Sequence, residues 1–298
     1  MDRPKTDNRP LAAAIACFTL WGFYPLLFQW TAWLGATPLE TLGWRAVTSV
    51  VFAVWLVAAA GKGGVFMALL TEPRRLAPYL ASGLFIGLNW GLYIWAVSNH
   101  HTLSASLGYY INPLLNMAVA AAAFRERIDG HGKAAIALAA VGVVVQTAAL
   151  GQVPWVALVL AASFCCYGVV RKLATADGHV GLMVECLVLA VPGAAYSLYL
   201  LSQNATVVGS SLHAALAMVA IGGATVVPLA FFGFAARRIS LATLGFIQFI
   251  APTLVFLIGW LQGEPLGALR LASFAFIWAG VAVFAWGAWR AAKPAALP

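Results

Sequence analysis

Residues 104–114 read Ser104-Ala105-Ser106-Leu107-Gly108-Tyr109-Tyr110-Ile111-Asn112-Pro113-Leu114. The stretch sits inside a long apolar run, yet it carries two tyrosines, an asparagine and a proline. A proline within a helix removes a backbone donor, so the carbonyl of Tyr109, four residues earlier, loses its helical partner. Facing lipid, that loss is costly. It is tolerated where the backbone is packed in protein or lines a watery cavity. The stretch therefore predicts a membrane protein of several spans with an internal site.

The rest of the chain agrees. Of 298 residues, 63% are hydrophobic and 9% charged, against about 25% charged in an ordinary soluble domain. Apolar runs of about 20 residues, enough to cross a bilayer as helices, recur throughout. The first begins at Leu11 and is as long as the others, so it reads as a span and not as a cleaved signal. Ten spans are predicted, over 11–34, 40–60, 76–97, 102–123, 133–150, 154–171, 180–201, 212–234, 239–260 and 268–290.

The net charge of +8 is explained by topology. Of the 17 Lys and Arg, fifteen fall on one side of these spans, Arg270 alone lies on the other, and Arg45 is within a span. Basic residues collect on the cytoplasmic side, so both termini are expected in the cytoplasm of a multi-pass protein of the cytoplasmic (inner) membrane. A nucleic-acid partner is excluded on the same ground. Cys17, Cys165, Cys166 and Cys186 all lie in apolar spans without histidine or carboxylate at ligand spacing. They read as packing residues, and neither a disulfide framework nor a metal is expected.

An internal repeat is visible. Phe18-Thr19-Leu20-Trp21-Gly22 matches Phe164-Cys165-Cys166-Tyr167-Gly168, and Ala105-Ser106-Leu107-Gly108-Tyr109 matches Ala242-Thr243-Leu244-Gly245-Phe246. Each of the latter pair is followed by a proline (Pro113, Pro252), a glutamate (Glu126, Glu264) and a glycine in the next span (Gly142, Gly280). The halves are 1–150 and 151–298, with five spans each. Five is odd, so the second half enters from the opposite side of the membrane. The expected fold is all-α and integral to the membrane: ten transmembrane helices in two inverted five-helix repeats. Secondary transporters use such repeats to hold a substrate near the midplane and to exchange two pseudo-symmetric states.

Several of these segments resemble the RarD-type branch of the EamA drug/metabolite transporters. They are Asn89-Trp90, Tyr93-Ile94-Trp95-Ala96-Val97, Asn99-His100-His101, Ala105-Ser106-Leu107-Gly108-Tyr109 and Ile111-Asn112-Pro113-Leu114. Trp21-Gly22, Glu40 with Arg45, Glu126-Arg127, Ser163-Phe164 with Tyr167-Gly168, Arg171-Lys172, and Leu244-Gly245-Phe246 with Gln248 and Pro252-Thr253-Leu254 extend the likeness over nearly the whole chain. Trp44 departs from it, standing where histidine is expected before the arginine. The resemblance implies two inverted five-helix repeats. It also implies export of amino acids or related metabolites, because the related YddG-type members export aromatic amino acids.

Candidate site residues follow from chemistry. Pro25, Pro113 and Pro252 free the carbonyls of Trp21, Tyr109 and Gln248. They can kink their helices during gating, and a freed carbonyl can accept from an ammonium or hydroxyl. Trp21, Tyr24, Trp90, Tyr93, Tyr109, Tyr110, Tyr167 and Phe246 lie mid-span and would together wall a flat apolar pocket. Trp30, Trp33, Trp55, Trp155, Trp286 and Trp289 fit an interfacial belt. Asn89, Asn112 and Gln248 add polar groups inside the membrane, where such groups are expensive and tend to be functional. Glu185 is the one carboxylate well within a span and could couple export to protons. Arg45 either attracts a substrate carboxylate or pairs with a carbonyl or with Glu40, and the structural role is the expectation.

No G-x-x-x-x-G-K-[ST] loop and no H-E-x-x-H motif occurs, which argues against an ATP-driven pump and an intramembrane metalloenzyme. The expected protein is not an enzyme and needs no cofactor. Its partners are a small-molecule substrate and membrane lipid, and its working unit is a monomer. A multidrug exporter is the nearest alternative, and an intramembrane enzyme a more distant one.

Overall fold

The computed structural model describes residues 8–125, 128–174, 178–236, 238–239 and 247–292. These form helices, with no strand among the described residues. Helices α1 (Arg9–Gly22) and α2 (Tyr24–Trp33) follow one another, broken only at Phe23. The break follows from Pro25, which lies in the first turn of α2 and cannot donate to the turn before it. Then come α3 (Pro38–Ala59), α4 (Gly63–Leu70), α5 (Pro73–Ser98), α6 (Thr102–Phe124), α7 (Gly130–Leu150), α8 (Trp155–Leu173), α9 (Gly178–Ser202), α10 (Leu212–Ala236), α11 (Ile250–Leu261) and α12 (Ala268–Ala292).

Helix starts follow local chemistry. Thr37 caps α3, its hydroxyl accepting from the Glu40 amide at 3.1 Å, and Pro38 opens the helix. Asp129 caps α7 by accepting from the Gly132 amide at 2.8 Å, a bond that holds its carboxyl below the usual carboxylate range. Gly151 ends α7 at φ +65°, a left-handed conformation suited to glycine.

Seven helical spans are long and apolar enough to cross a membrane: α1 with α2, α3, α5, α7, α9, α10 over Leu212–Leu229 and α12 over Ala268–Gly287. α8 and α11 carry shorter apolar stretches. α6 holds the quoted stretch and continues through Pro113. The eight-residue α4 falls where the sequence predicts a loop. It is too short to span, and it tucks Leu69 against Tyr79, Val180 and Val184. The outer surface exposes Trp33, Leu261, Leu212, Val191, Val51 and Val144. So broad an apolar surface suits lipid and not water. Trp30, Trp33, Trp55, Trp155 and Trp286 are among its exposed residues.

The interior is assembled by close helix pairs: α7 with α12, α3 with α9, α8 with both α5 and α6, α10 with α3, and α1 with α10 and α11. The α3–α9 crossing is set by Gly43 and Gly193, because a Cβ on Gly193 would sit 2.9 Å from the Gly43 Cα and carbonyl. Small residues let helix backbones meet in lipid, where packing and not hydrophobic exclusion drives association. The carboxylates Glu40 and Glu264 tie loops to helix starts at one end of the bundle. Glu40 accepts from the Thr206 hydroxyl (2.7 Å) and the Val207 amide (2.9 Å). Glu264 accepts from the Thr102 and Leu103 amides at 2.5 and 2.9 Å, satisfying the unpaired donors at the start of α6. Gln29 and Gln262 exchange hydrogen bonds at the same end, at 2.9 and 2.7 Å.

Candidate functional site

A cavity of about 420 Å³ opens among α1, α2, α3, α5, α6, α8, α9, α10 and α11. Its wall contains Trp21, Tyr24, Asn89, Trp90, Tyr93, Tyr109, Asn112, Tyr167, Gln248, Pro113, Pro252 and Glu185. The structure thus brings most of the sequence-derived site residues together. Tyr110 is not among them. Its hydroxyl bonds to Thr253 Oγ1 at 2.6 Å, and its ring stacks on Phe249 and meets Phe274 and Trp278 edge-on, in the packing of α6 against α11 and α12. Tyr109 and Tyr110 are one residue apart, so they point about 100° apart around the helix and cannot share a face. Pro25 also stands outside the cavity wall, acting at the α1–α2 break. Phe246, with the repeat stretch 242–246 and Glu126, lies outside the described residues.

The wall is aromatic and largely interlocked. Tyr24 packs edge-on to Phe28, Phe28 to Tyr93, and Tyr93 to Tyr109. The Tyr24 hydroxyl donates to the Ala224 carbonyl, pinning α2 to α10. Asn89 ties three helices: its amide donates to the Leu160 carbonyl (2.9 Å) and Ser163 Oγ (3.1 Å), and its oxygen accepts from the Tyr109 hydroxyl (3.1 Å). Ser106 Oγ donates to the Pro252 carbonyl at 2.8 Å, joining α6 to α11. Asn112 is buried on the face it shares with Tyr109, and its Oδ1 accepts no hydrogen bond from a described residue.

Two charged groups enter this wall, and they differ. Glu185 accepts from Ser82 Oγ (2.6 Å) and the Tyr167 hydroxyl (3.4 Å), and lies 3.5 Å from Arg171 Nη1. Arg45 is 4% exposed. Its guanidinium stacks over Trp90 at 3.9 Å and stands 5.7 and 5.5 Å from the Tyr24 and Phe28 ring centres. Its Nε donates to Thr225 Oγ1 at 3.0 Å. No carboxylate of a described residue lies within ion-pair reach of it. Of the structural partners expected for Arg45, a carbonyl or Glu40, Glu40 is ruled out, since it is engaged by Thr206 and Val207. Phe18, Phe164, Thr225 and Phe232 also stand in the wall, beyond the sequence-derived candidates. Phe18 and Phe164 open the two matching repeat motifs, whereas Thr225 and Phe232 lie in an apolar helix with no pattern to mark them.

Chemically, the cavity offers flat apolar walls, a buried cation and an unfilled acceptor. Among the described residues no cluster of His, Cys, Asp or Glu could hold a metal.

The EamA-like transporter family matches residues 9–148. An uncharacterized transporter of Pseudomonas aeruginosa is 41% identical over 96% of both chains. The protein RarD of Escherichia coli K12 is 37% identical over 94% of this chain and 95% of its own. A protein crystal structure of 21% identity superposes with a TM-score of 0.59, covering 95% of this chain and 99% of that one, which shows a shared fold. The multi-pass helical chain with its central cavity belongs, accordingly, to the RarD-type branch of the EamA-like transporter family.

Proposed function

We propose that this transporter exports neutral, chiefly aromatic, amino acids or related metabolites across the cytoplasmic membrane by alternating access. The observation that carries the reading is the aromatic cavity, which has a volume suited to one small molecule. Trp21, Tyr24, Trp90, Tyr93, Tyr109 and Tyr167 would hold a flat side chain, with Phe246 beside them. Asn89, Asn112 and Gln248 would orient the polar head. Pro113 and Pro252, which lie in the wall, would serve as hinges, and Pro25 would bend the first span.

The reading takes the fold as ten spans in two inverted repeats, with both termini in the cytoplasm. Reciprocal packing of α7 and α12 supports it. Gly142 faces Ser273 and Ile277 of α12, while Gly280 faces Ala135 of α7. Residues 135 and 142 thus meet 280 and 273, and each partner stands 138 positions from its counterpart, as a two-fold exchange requires. Glu185 serves as the coupling group. Protonation would release its ion pair with Arg171 and loosen that end of the cavity.

The test is uptake of labelled phenylalanine, tryptophan and threonine into proteoliposomes, with and without a proton gradient. Saturable aromatic uptake that Trp90→Ala and Gln248→Ala remove supports the proposal. Uptake that persists in Glu185→Gln but no longer responds to the gradient assigns the coupling. Transport of a cationic dye with no amino-acid flux would sink the proposal in favour of a multidrug exporter.

A further inference from the structure

We propose that Arg45 is the anchor for a carboxylate on the transported molecule, so that the substrate is an aromatic carboxylate and not a cation or an uncharged drug. The inference rests on the cavity being the transport site and deepens that reading. A guanidinium presents five N–H donors in a planar fork that matches a carboxylate. Among the described residues only one donor of Arg45 is used, the Nε–H to Thr225. The terminal nitrogens, which form the fork, donate to no described residue, although the side chain is 4% exposed and lines the cavity.

The surroundings fix the guanidinium without neutralising it. Trp90 covers one face at 3.9 Å, and Tyr24 and Phe28 stand beside it. Rings stabilise a cation through their quadrupole but do not cancel its charge. Glu185, the one acid among the described wall residues, is held by Arg171, Ser82 and Tyr167. A lone charge at this depth is expensive, and membrane proteins keep such groups where a ligand or partner meets them. The charge balance of the wall thus calls for an anion.

A second observation points to the same ligand. Asn112 Oδ1 is a buried acceptor of the same wall without a donor among the described residues. Arg45 on α3 and Asn112 on α6 line the same cavity. An α-amino acid head offers a group to each: carboxylate for Arg45, ammonium for Asn112.

The experiment is a binding titration of the full chain in nanodiscs, read by tryptophan fluorescence or calorimetry. The probes are phenylalanine, 3-phenylpropionate (carboxylate without ammonium) and phenylalaninamide (ammonium without carboxylate). The variants are Arg45→Gln and Arg45→Lys, each checked for native elution and cooperative unfolding. The inference expects the native protein to bind phenylpropionate and phenylalanine and Arg45→Gln to lose at least tenfold for both. Arg45→Lys, which keeps the charge and loses the fork, should fall between. Phenylalaninamide should bind weakly and be indifferent to both substitutions. Phenylpropionate bound through Arg45 with phenylalanine excluded would keep the anchor and remove the amino-acid reading. Carboxylate binding unchanged in Arg45→Gln, or amide binding as tight as phenylalanine, overturns the inference, as does failure of the native protein to bind either carboxylate.

Discussion

Arg45 and Arg171 are both arginines set against aromatic rings inside the bundle, one over Trp90 at 3.9 Å and the other over Tyr79 at 5.6 Å. Arg171 sits near a helix end. Its side chain is 22% exposed, it lies 3.5 Å from Glu185, and it donates to the Gly178 carbonyl at 3.2 Å. Arg45 is deeper, is bounded by rings and one threonine, and has no acid beside it among the described residues. The same residue type thus does two jobs. A charge that the protein supplies with its own counter-ion holds helices together. A charge left with an open fork is kept at the expense of stability, because a buried ion without a partner is among the costliest groups a fold can carry.

The largest effect should come from breaking the paired arginine. Glu185→Ala leaves Arg171 without its carboxylate, while Ser82 keeps the Tyr79 carbonyl as an acceptor. Removing one member of a buried pair costs about 3–5 kcal/mol, and partial exposure of Arg171 puts this case near 3. Thermal unfolding in detergent should show a clear fall, and an unchanged midpoint would mean that the pair contributes nothing. Arg45→Met is the converse. The empty protein should gain about 2 kcal/mol, as lost desolvation cost exceeds lost ring contact, while stabilisation by an aromatic carboxylate disappears. A loss of stability as deep as that of Glu185→Ala would make Arg45 structural and abolish the contrast.

How much of this was legible in the sequence depends on how local each cause is. Helix starts at Pro38, Pro73 and Thr102 follow capping and proline rules and agree closely with the expected spans. The cavity residues of α5 and α6 were readable because polar groups in an apolar run stand out. Tyr110 was drawn in by its neighbour Tyr109, although helical rotation sends the two to different walls. The partner of Glu40 was out of reach. The nearby Arg45 looked available, but residues five apart do not face each other on a helix, and the true partners are Thr206 and Val207, brought in by folding of the chain. Thr225 left no trace for the same reason, since its role depends on α10 crossing α3. The α4 segment was passed over because eight apolar residues are too few to span.

Smaller changes sharpen the contrast by altering how the fork is held and not whether it exists. Thr225→Val keeps shape but leaves the Arg45 Nε–H buried without an acceptor. A buried donor stripped of its partner costs about 1–3 kcal/mol. The unfolding midpoint should fall modestly. Affinity for phenylpropionate should fall several-fold, since the guanidinium loses one constraint on its plane. Unaltered affinity would show that the rings alone orient the fork.

The smallest change is Trp90→Phe. The indole ring gives the strongest cation–π contact, and the guanidinium sits 3.9 Å from its centre. Phenylalanine keeps a ring face but a weaker quadrupole, a difference of about 0.5 kcal/mol. The empty protein should hardly change in stability. A carboxylate on Arg45 offsets the charge that the ring was stabilising, so the bound state depends less on the ring than the empty state does. The expected shift in affinity is therefore within about twofold in either direction, against a tenfold loss for Arg45→Gln. A larger loss in Trp90→Phe than in Arg45→Gln would place the recognition in the indole surface instead of the charge. The two arginines would then differ only in how they are packed.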